Sequence, residues 1–331
     1  MKIMNKKSSE INVAVGILAR DCADALRQNI HRVDEMCSSF KSYKIIVYEN
    51  DSKDDTKELL TSWAKRNSNV KAIKEDGNTI TIPDEIQYNP YPEKSKLRIE
   101  RMVGFRNRLL DEMEKENPDV CIFVDIDLEW IDPKTVPVAI DNAPKDWGGL
   151  FGNGKVIRRY SKVFFERPQL YDSYAYVKEG VDPYSIGTWL LDKSFHEVNG
   201  GIMYYDIRKS PYVPCTSAFN NIGIYKWEAI KGLRYKVVQT KKLEPFNAAL
   251  CEHVLFNMSV IKRGYRNYMA REIVVHSRYI DRGDYTKWYD KWKMSHEKLH
   301  FYSKHKKVIV KIITHKMLYA LGMHPYRRIK L

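Results

Sequence analysis

Long apolar runs are missing from this 331-residue chain. No stretch of about 18 uncharged apolar residues occurs, so no segment is expected to cross a membrane as a helix. Residues 1–10 are mainly polar and lack the apolar centre of a secretory leader. We expect residues 1–10 to be disordered and the protein to reside in the cytoplasm.

Cysteine is also scarce, with five in the chain. The number is odd and no pair has the spacing of zinc ligands, so a disulfide scaffold is not expected. This usage is typical of a reducing compartment. The thiols are Cys22, Cys37, Cys121, Cys215 and Cys251.

Acidic residues are outnumbered, since 42 Asp and Glu face 56 Lys and Arg, for a net charge of +14. This excess predicts an anionic partner such as phosphates, nucleic acid or acidic lipid. Most of it falls in residues 287–331, which hold twelve basic and two acidic residues. We predict a basic amphipathic helical tail over residues 286–331 that lies on an anionic membrane surface. The alternative is a solvated helix packed on the domain.

The N-terminal third alternates between strand and helix patterns. Residues 11–19 and 44–48 are apolar enough for buried strands, and helical spacing follows each of them, over residues 22–36 and 56–64. A further strand is expected at residues 70–73. This order predicts an α/β fold with a doubly wound, mostly parallel sheet.

Polar residues stand where these first strands end. They are Arg20 after the first strand and Glu49, Asn50 and Asp51 after the second. Since ligands of doubly wound sheets bind at the carboxyl ends of the strands, these residues are candidate binding residues.

The most informative motif is Asp125-Ile126-Asp127, at the end of an apolar run that starts at Val120. Side chains alternate along a strand, so the two carboxylates can act on one ligand. A hard divalent cation that carries phosphate oxygens is the natural partner. Taken alone, the motif is more typical of an ordinary strand end at the surface.

Arg106 lies within the apolar stripe of a helix predicted over residues 97–116. An arginine that faces the core needs an acid or a phosphate as its partner. Both alternatives remain open from the sequence: a structural salt bridge to a carboxylate of the sheet, or a contact with a nucleotide.

Three later segments complete the pattern. Residues 147–154 are predicted to be a glycine-rich turn, without the Gly-Lys-Ser/Thr ending of a P-loop. A helix is predicted over residues 247–261, with Cys251-Glu252-His253 near its start. A buried strand over residues 273–275 is followed by His276.

These motifs resemble those of GT-A-fold glycosyltransferases, over about residues 12–276. Residues 47–56 resemble the first nucleotide-binding loop, and the wording Tyr-Glu-Asn-Asp-Ser is most similar to the fungal capsule α-mannosyltransferase group. Residues 101–107 resemble the Arg-Asn helix of family-two relatives, and Asp125-Ile126-Asp127 matches the Asp-x-Asp metal motif. Glu252-His253 stands where the family pattern is commonly Glu-Asp, which leaves the stereochemical outcome open.

The resemblance implies a role for each matching residue. The metal ligands would be Asp125, Asp127 and His276, around Mn²⁺ or Mg²⁺, and the catalytic base would be Glu252. His253 is equally compatible with a packed core histidine. The residues implied in binding the nucleotide sugar are Arg20, Glu49, Asn50, Asp51, Arg101, Arg106 and Asp125.

The expected protein is therefore a GT-A-fold hexosyltransferase domain over residues 11–285, with a nucleotide-binding half (11–130) and an acceptor-side half (131–285). It would move mannose or another hexose from a nucleotide-diphosphate sugar to a surface-glycan acceptor, at the inner face of the cell membrane. No nucleic acid is expected as a partner. Two other classes remain open, namely a nucleotidyltransferase and a nucleic-acid-binding protein that uses the basic tail.

Overall fold

The computed structural model describes residues 6–80, 94–159, 166–170, 172, 174–185, 210–241, 243–244 and 247–277. Within them the strands form a single sheet, in the order β3-β2-β1-β4-β10-β6-β11-β9-β8, with β5 also paired to β11 and β7 to β6. The strands are β1 (Asn12–Ala19), β2 (Ser42–Glu49), β3 (Val70–Lys74), β4 (Val120–Asp125), β5 (Leu128–Ile131), β6 (Trp147–Arg159), β7 (Glu166–Leu170), β8 (Val177–Lys178), β9 (Tyr212–Ser217), β10 (Ile222–Lys226) and β11 (Arg266–Ser277).

Helices lie on both faces of this sheet. They are α1 (Ala23–Ser38), α2 (Thr56–Arg66), α3 (Lys96–Lys115), α4 (Thr135–Asp141), α5 (Trp227–Ile230) and α6 (Glu252–Lys262). Alternation along β1 shows how the layers form: Val13, Val15 and Ile17 join the core shared with α1 and α2, whereas Ala14 joins the core shared with α3 and α6.

The first four strands of the path are parallel, and their order creates a switch point. β1 pairs with β2 on one side and with β4 on the other, both in parallel. The chain therefore winds outward from β1 in two directions, which opens a crevice between the carboxyl ends of β1 and β4. The predicted α/β class with a doubly wound sheet is confirmed. Beyond β4 the sheet continues without a break through the antiparallel strand β10.

The glycine-rich turn predicted over residues 147–154 is wrong, because this segment begins the long strand β6 between β10 and β11. Its glycines serve close packing. A Cβ on Gly152 would lie 2.7 Å from the backbone oxygen of Asn220, and one on Gly148 would lie 2.5 Å from the Cβ of Tyr265. The glycine content alone suggested a turn. The segment is instead a strand, and the residues packed against it leave no room for side chains at Gly148 and Gly152.

Two boundaries also differ from the predictions. The helix expected from residue 247 begins at Glu252, because Ala248 forms an isolated bridge with Ser95 and Leu250 donates its backbone N–H to Val238. Part of the N-terminal segment expected to be disordered is structured: Ser8 begins a short 3₁₀ turn, and its backbone N–H donates to Asp141 at 2.6 Å. A polar composition did not reveal this anchor.

One prediction concerns residues that the structure does not describe, since the basic tail of residues 286–331 lies wholly outside the described ranges. Among the described residues, no helix combines the length and the apolarity needed to cross a membrane.

Candidate active site

The Asp125-Ile126-Asp127 motif lies at the switch point of the sheet. Asp125 is the last residue of β4 and is paired in register with Leu18 of β1, two residues before Arg20. The side chain of Asp125 is 27% exposed, and Asp127 is exposed just beyond the strand. The sequence therefore delivers two carboxylates to the crevice in which a doubly wound sheet binds its ligand.

Arg106 connects Asp125 with Glu252 beneath this crevice. Its Nε donates to Glu252 Oε1 at 2.9 Å, and its Nη2 lies 3.9 Å from Asp125 Oδ1. The guanidinium also lies over the ring of Phe219, at 4.8 Å from the centroid. The prediction that Arg106 faces the core is confirmed by its 5% exposure. The partners observed are carboxylates.

The pKa values of the two carboxyl groups of this network shift in opposite directions. Burial raises the pKa of Asp125 to about 8, because Arg106 offsets only part of the desolvation. Burial also disfavours the charged form of Glu252, but the charge and the hydrogen bond of Arg106 outweigh this effect and lower the pKa of Glu252 to about 2. Asp125 is therefore a partly buried acid whose charge is not fully compensated, a state that a nearby cation relieves.

Glu252 is held as the buried partner of Arg106. It begins α6, its side chain is 6% exposed, and the Cys251 thiol lies 3.6 Å from its second oxygen. A carboxylate with such a low pKa accepts a proton poorly. The geometry therefore shows Glu252 in an ion pair with Arg106 and does not support its implied role as catalytic base.

His253 is packed in the core. Its ring stacks on Phe219 with centroids 4.0 Å apart, and within the described part of the chain neither ring nitrogen has a hydrogen-bond partner. Burial and the nearby Arg106 hold the pKa of His253 well below its usual range. The imidazole is therefore neutral and serves as an aromatic wall of the Arg106 site.

The loop after β2 is held together largely by Asp51. This residue has a positive φ of 54°, and its carboxylate accepts backbone N–H groups from Gly77, Asn78 and Thr79 at 2.8–2.9 Å. The hydrogen bond from Thr79 is the largest cause of the low pKa of Asp51. Asp51 therefore shapes the loop from within, instead of presenting its oxygens to a ligand.

The other candidate binding residues differ in their hydrogen-bond partners and in their exposure. Arg20 donates to the carbonyl oxygen of Thr79 at 3.0 Å, and the Asn50 side chain donates to Asp51 at 3.1 Å. Glu49 accepts a bond from the Ser52 N–H at 2.8 Å through Oε1, whereas its buried Oε2 has no hydrogen-bond partner among the described residues. Arg101 lies on the exposed side of α3, away from the buried Arg106.

The predicted ligand set of Asp125, Asp127 and His276 is not assembled. Over the described part of the chain, no three His, Cys, Asp or Glu side chains form a group that could hold a metal. His276 pairs in register with Trp130 of β5, and the two rings meet edge to face with centroids 5.1 Å apart. Asp125 and Asp127 remain as candidate ligands. Two carboxylates fit Mg²⁺ or Mn²⁺ when phosphates and water supply the other ligands.

Sequence reasoning missed a further acid near this site. The backbone N–H of Asp172 donates to Asn220 Oδ1 at 3.1 Å, and the backbone N–H of Asp125 donates to the oxygen of Asn221 at 2.9 Å. One turn therefore holds both acids, and burial raises the pKa of Asp172. No motif surrounds Asp172 in the sequence, so only the fold identifies it.

No protein-family profile matches the chain, and neither does any curated protein. Solved structures that resemble it include the mannosyltransferase PcManGT from Pyrobaculum calidifontis in complex with GDP-Man and Mn²⁺ (11% identity, 83% of this chain, 59% of that chain, TM-score 0.45). S. aureus TarS 1–349 in complex with UDP-GlcNAc (12%, 81%, 59%, 0.38) and GalNAc-T7 with UDP, GalNAc and Mn²⁺ (13%, 81%, 44%, 0.46) also resemble it. The chain thus spans 44–59% of the length of these three proteins. These three TM-scores are below 0.5, so the likeness carries no argument about function.

Proposed function

We propose that the protein is a metal-dependent glycosyltransferase that takes a hexose, such as mannose, from a nucleotide-diphosphate sugar. One observation carries the proposal: Asp125 and Asp127 stand at the switch point of the sheet, with the buried cation of Arg106 beneath them. The resemblance of these motifs to those of GT-A-fold enzymes supplies the reaction class.

Transfer of a sugar leaves a nucleoside diphosphate whose negative charge must be stabilised. A divalent cation, when bound, supplies that stabilisation as a Lewis acid. Asp125 and Asp127 would hold the cation, and Arg106 fixes Asp125 from below. His276 has no part in this arrangement, because its ring packs against Trp130.

The base and ribose of the donor would lie against the loop after β2. Glu49 offers the buried, unpartnered Oε2 as an acceptor for a ribose hydroxyl or a base N–H. Arg20 follows β1 at the same edge of the sheet and adds positive charge towards the phosphates. Asp51 contributes indirectly, since it holds residues 77–79 in place.

The acceptor class and the membrane association are proposed from the sequence alone. The basic tail over residues 286–331 would hold the enzyme near a lipid-linked glycan at the inner membrane face, for assembly of a capsule, a lipopolysaccharide or a similar polymer.

Release of nucleoside diphosphate from a panel of GDP- and UDP-sugars with Mn²⁺ tests the proposal. We expect Asp127→Ala to reduce turnover by about 100-fold or more, the scale expected when a group that stabilises transition-state charge is removed. Glu129→Ala is the matched control, because Glu129 is an exposed carboxylate two residues further on. Full activity of Asp127→Ala would show that the metal assignment is wrong.

The same assay separates the other two classes. Release of pyrophosphate would indicate a nucleotidyltransferase, although Ala19-Arg20-Asp21 after β1 is not the glycine-rich loop with which such enzymes usually open. Salt-dependent binding of RNA or DNA, without binding of any nucleotide sugar, would instead indicate a nucleic-acid-binding protein.

A further inference from the structure

Asn29 of α1 contacts the backbone on both sides of Asp127. Its side-chain Nδ2 donates to the carbonyl oxygen of Leu128 at 2.8 Å and to that of Ile126 at 3.4 Å. Asn29 is fully buried, so water does not compete for these bonds. A carboxamide nitrogen carries two N–H donors, and both are used on this short segment.

Asn29 thus contacts the short segment between β4 and β5. Asp127 lies in this segment, outside both strands. The same helix supports the following strand one turn later, where the Arg32 guanidinium lies over the ring of Trp130, 5.6 Å from its centroid. Helix α1 therefore contacts this segment at two points, through Asn29 on the backbone and through Arg32 on the Trp130 ring.

We infer that Asn29 is a positioning residue that presents the Asp127 carboxylate to the cation of the donor. This inference rests on the proposed function. By anchoring the carbonyl groups of Ile126 and Leu128, the residues on either side of Asp127, Asn29 limits the conformations of this exposed residue before any ligand arrives. Supporting groups of this kind typically change metal affinity or activity by about 10-fold to 100-fold when removed.

Two variants test the inference in the full-length protein. Asn29→Leu removes both donors at similar side-chain volume, and Asn29→Ala removes them and leaves a cavity. The matched control is Asn67→Ala, which removes side-chain bonds to Asp34 and Tyr43 near the opposite end of the strands. Each protein is titrated with Mn²⁺ in the presence of GDP or UDP, and free Mn²⁺ is measured by electron paramagnetic resonance.

We expect both Asn29 variants to bind Mn²⁺ about 10-fold to 100-fold more weakly than the wild type, while Asn67→Ala binds as the wild type even if it unfolds at a lower temperature. Hydrogen–deuterium exchange without metal should be faster in residues 126–129 of the Asn29 variants only. Unchanged Mn²⁺ affinity together with unchanged exchange would overturn the inference.

Failure of the proposed function has a different signature. If the wild type binds Mn²⁺ no better than Asp127→Ala, the cation site is absent and the role of Asn29 in presenting Asp127 is overturned with it. Faster exchange in residues 126–129 of the Asn29 variants would then show that the anchor exists but serves the fold alone. If either Asn29 variant fails to fold, the other supplies both measurements.

Discussion

At the scale of single residues, the most consequential contact is the buried ion pair of Arg106 and Glu252. The two side chains are each 6% exposed and lie 2.9 Å apart. Removing one member of a buried pair leaves an uncompensated charge, which costs far more than the pair contributes in the first place. This contact explains why an arginine occupies the apolar stripe of α3.

We expect Glu252→Gln to lower the free energy of unfolding by about 3–5 kcal/mol. Urea denaturation followed by circular dichroism measures this quantity. Arg27→Ala is the control, because Arg27 pairs at the surface with Asp24 and should contribute about 1 kcal/mol or less. Near-normal stability of Glu252→Gln would contradict the assignment of Glu252 to a structural pair.

The loss of stability in Glu252→Gln should depend on pH. The pKa of Glu252 is lowered from 4.5 to about 2 in the folded protein, so its stabilising effect is fully present above the unfolded value. It is lost as the pH falls through the folded value. The difference in unfolding free energy between the wild type and Glu252→Gln should therefore be constant above about pH 5 and shrink between about pH 4.5 and pH 2. Urea titrations across this range check the sign.

At the scale of secondary structure, β6 depends on residues without side chains. A Cβ on Gly152 would lie 2.6 Å from Ile222 Cγ2 and 2.7 Å from the Asn220 backbone oxygen. The backbone oxygen belongs to the turn that also holds Asp125 and Asp172, so it cannot move without disturbing the site. The glycines of β6 therefore connect strand packing to the geometry of the carboxylates.

Gly152→Ala should destabilise the protein by about 1–3 kcal/mol, the usual range for an overpacked core. Gly104→Ala is the matched control, since Gly104 lies on the exposed face of α3 and a Cβ added there would meet no atom within 4 Å. Alanine there should stabilise the helix by up to about 1 kcal/mol. Thermal unfolding of both variants measures the two effects, and equal shifts in the same direction would contradict this account of β6.

At the scale of the whole molecule, all five cysteines are buried and none forms a disulfide. Burial raises the pKa of each thiol, in Cys22 to about 12. The thiolate is the reactive form of cysteine. These residues are therefore protected in two ways, because reagents cannot reach the buried thiols and the raised pKa keeps them protonated.

We expect the native protein to react slowly with 5,5′-dithiobis(2-nitrobenzoic acid) at pH 8. In urea, where burial is lost, five thiols per chain should react rapidly. Absorbance of the released thionitrobenzoate gives the count and the rate. Prompt reaction of several thiols without denaturant would indicate that the core around them opens readily.

The proposed membrane contact of residues 286–331 is also tested at the scale of the whole molecule. A truncation after residue 285 should lose binding to vesicles that contain anionic lipid, and binding of the full chain should weaken as salt rises. Co-sedimentation with anionic and neutral vesicles measures both effects. Equal binding of the two forms would show that the tail packs elsewhere.

The sequence by itself determined the local features of this protein. Apolar runs such as residues 11–19 predicted the strands, because a buried parallel strand requires continuous apolar side chains. The same reasoning placed Arg106 in the core, since helical periodicity reveals which face is buried. It also located Asp125 and Asp127 at the end of a strand.

Only the tertiary structure decided which residues meet. The contacts of Asn29 with residues 126 and 128, and of Arg106 with Glu252, join segments about 100 to 146 positions apart, a separation over which side-chain periodicity carries no information. Strand register determined the surroundings of His276, because its pairing with Trp130 brings the two rings into contact. Packing likewise made residues 147–154 a strand, since close neighbours, and not local glycine preference, required those glycines.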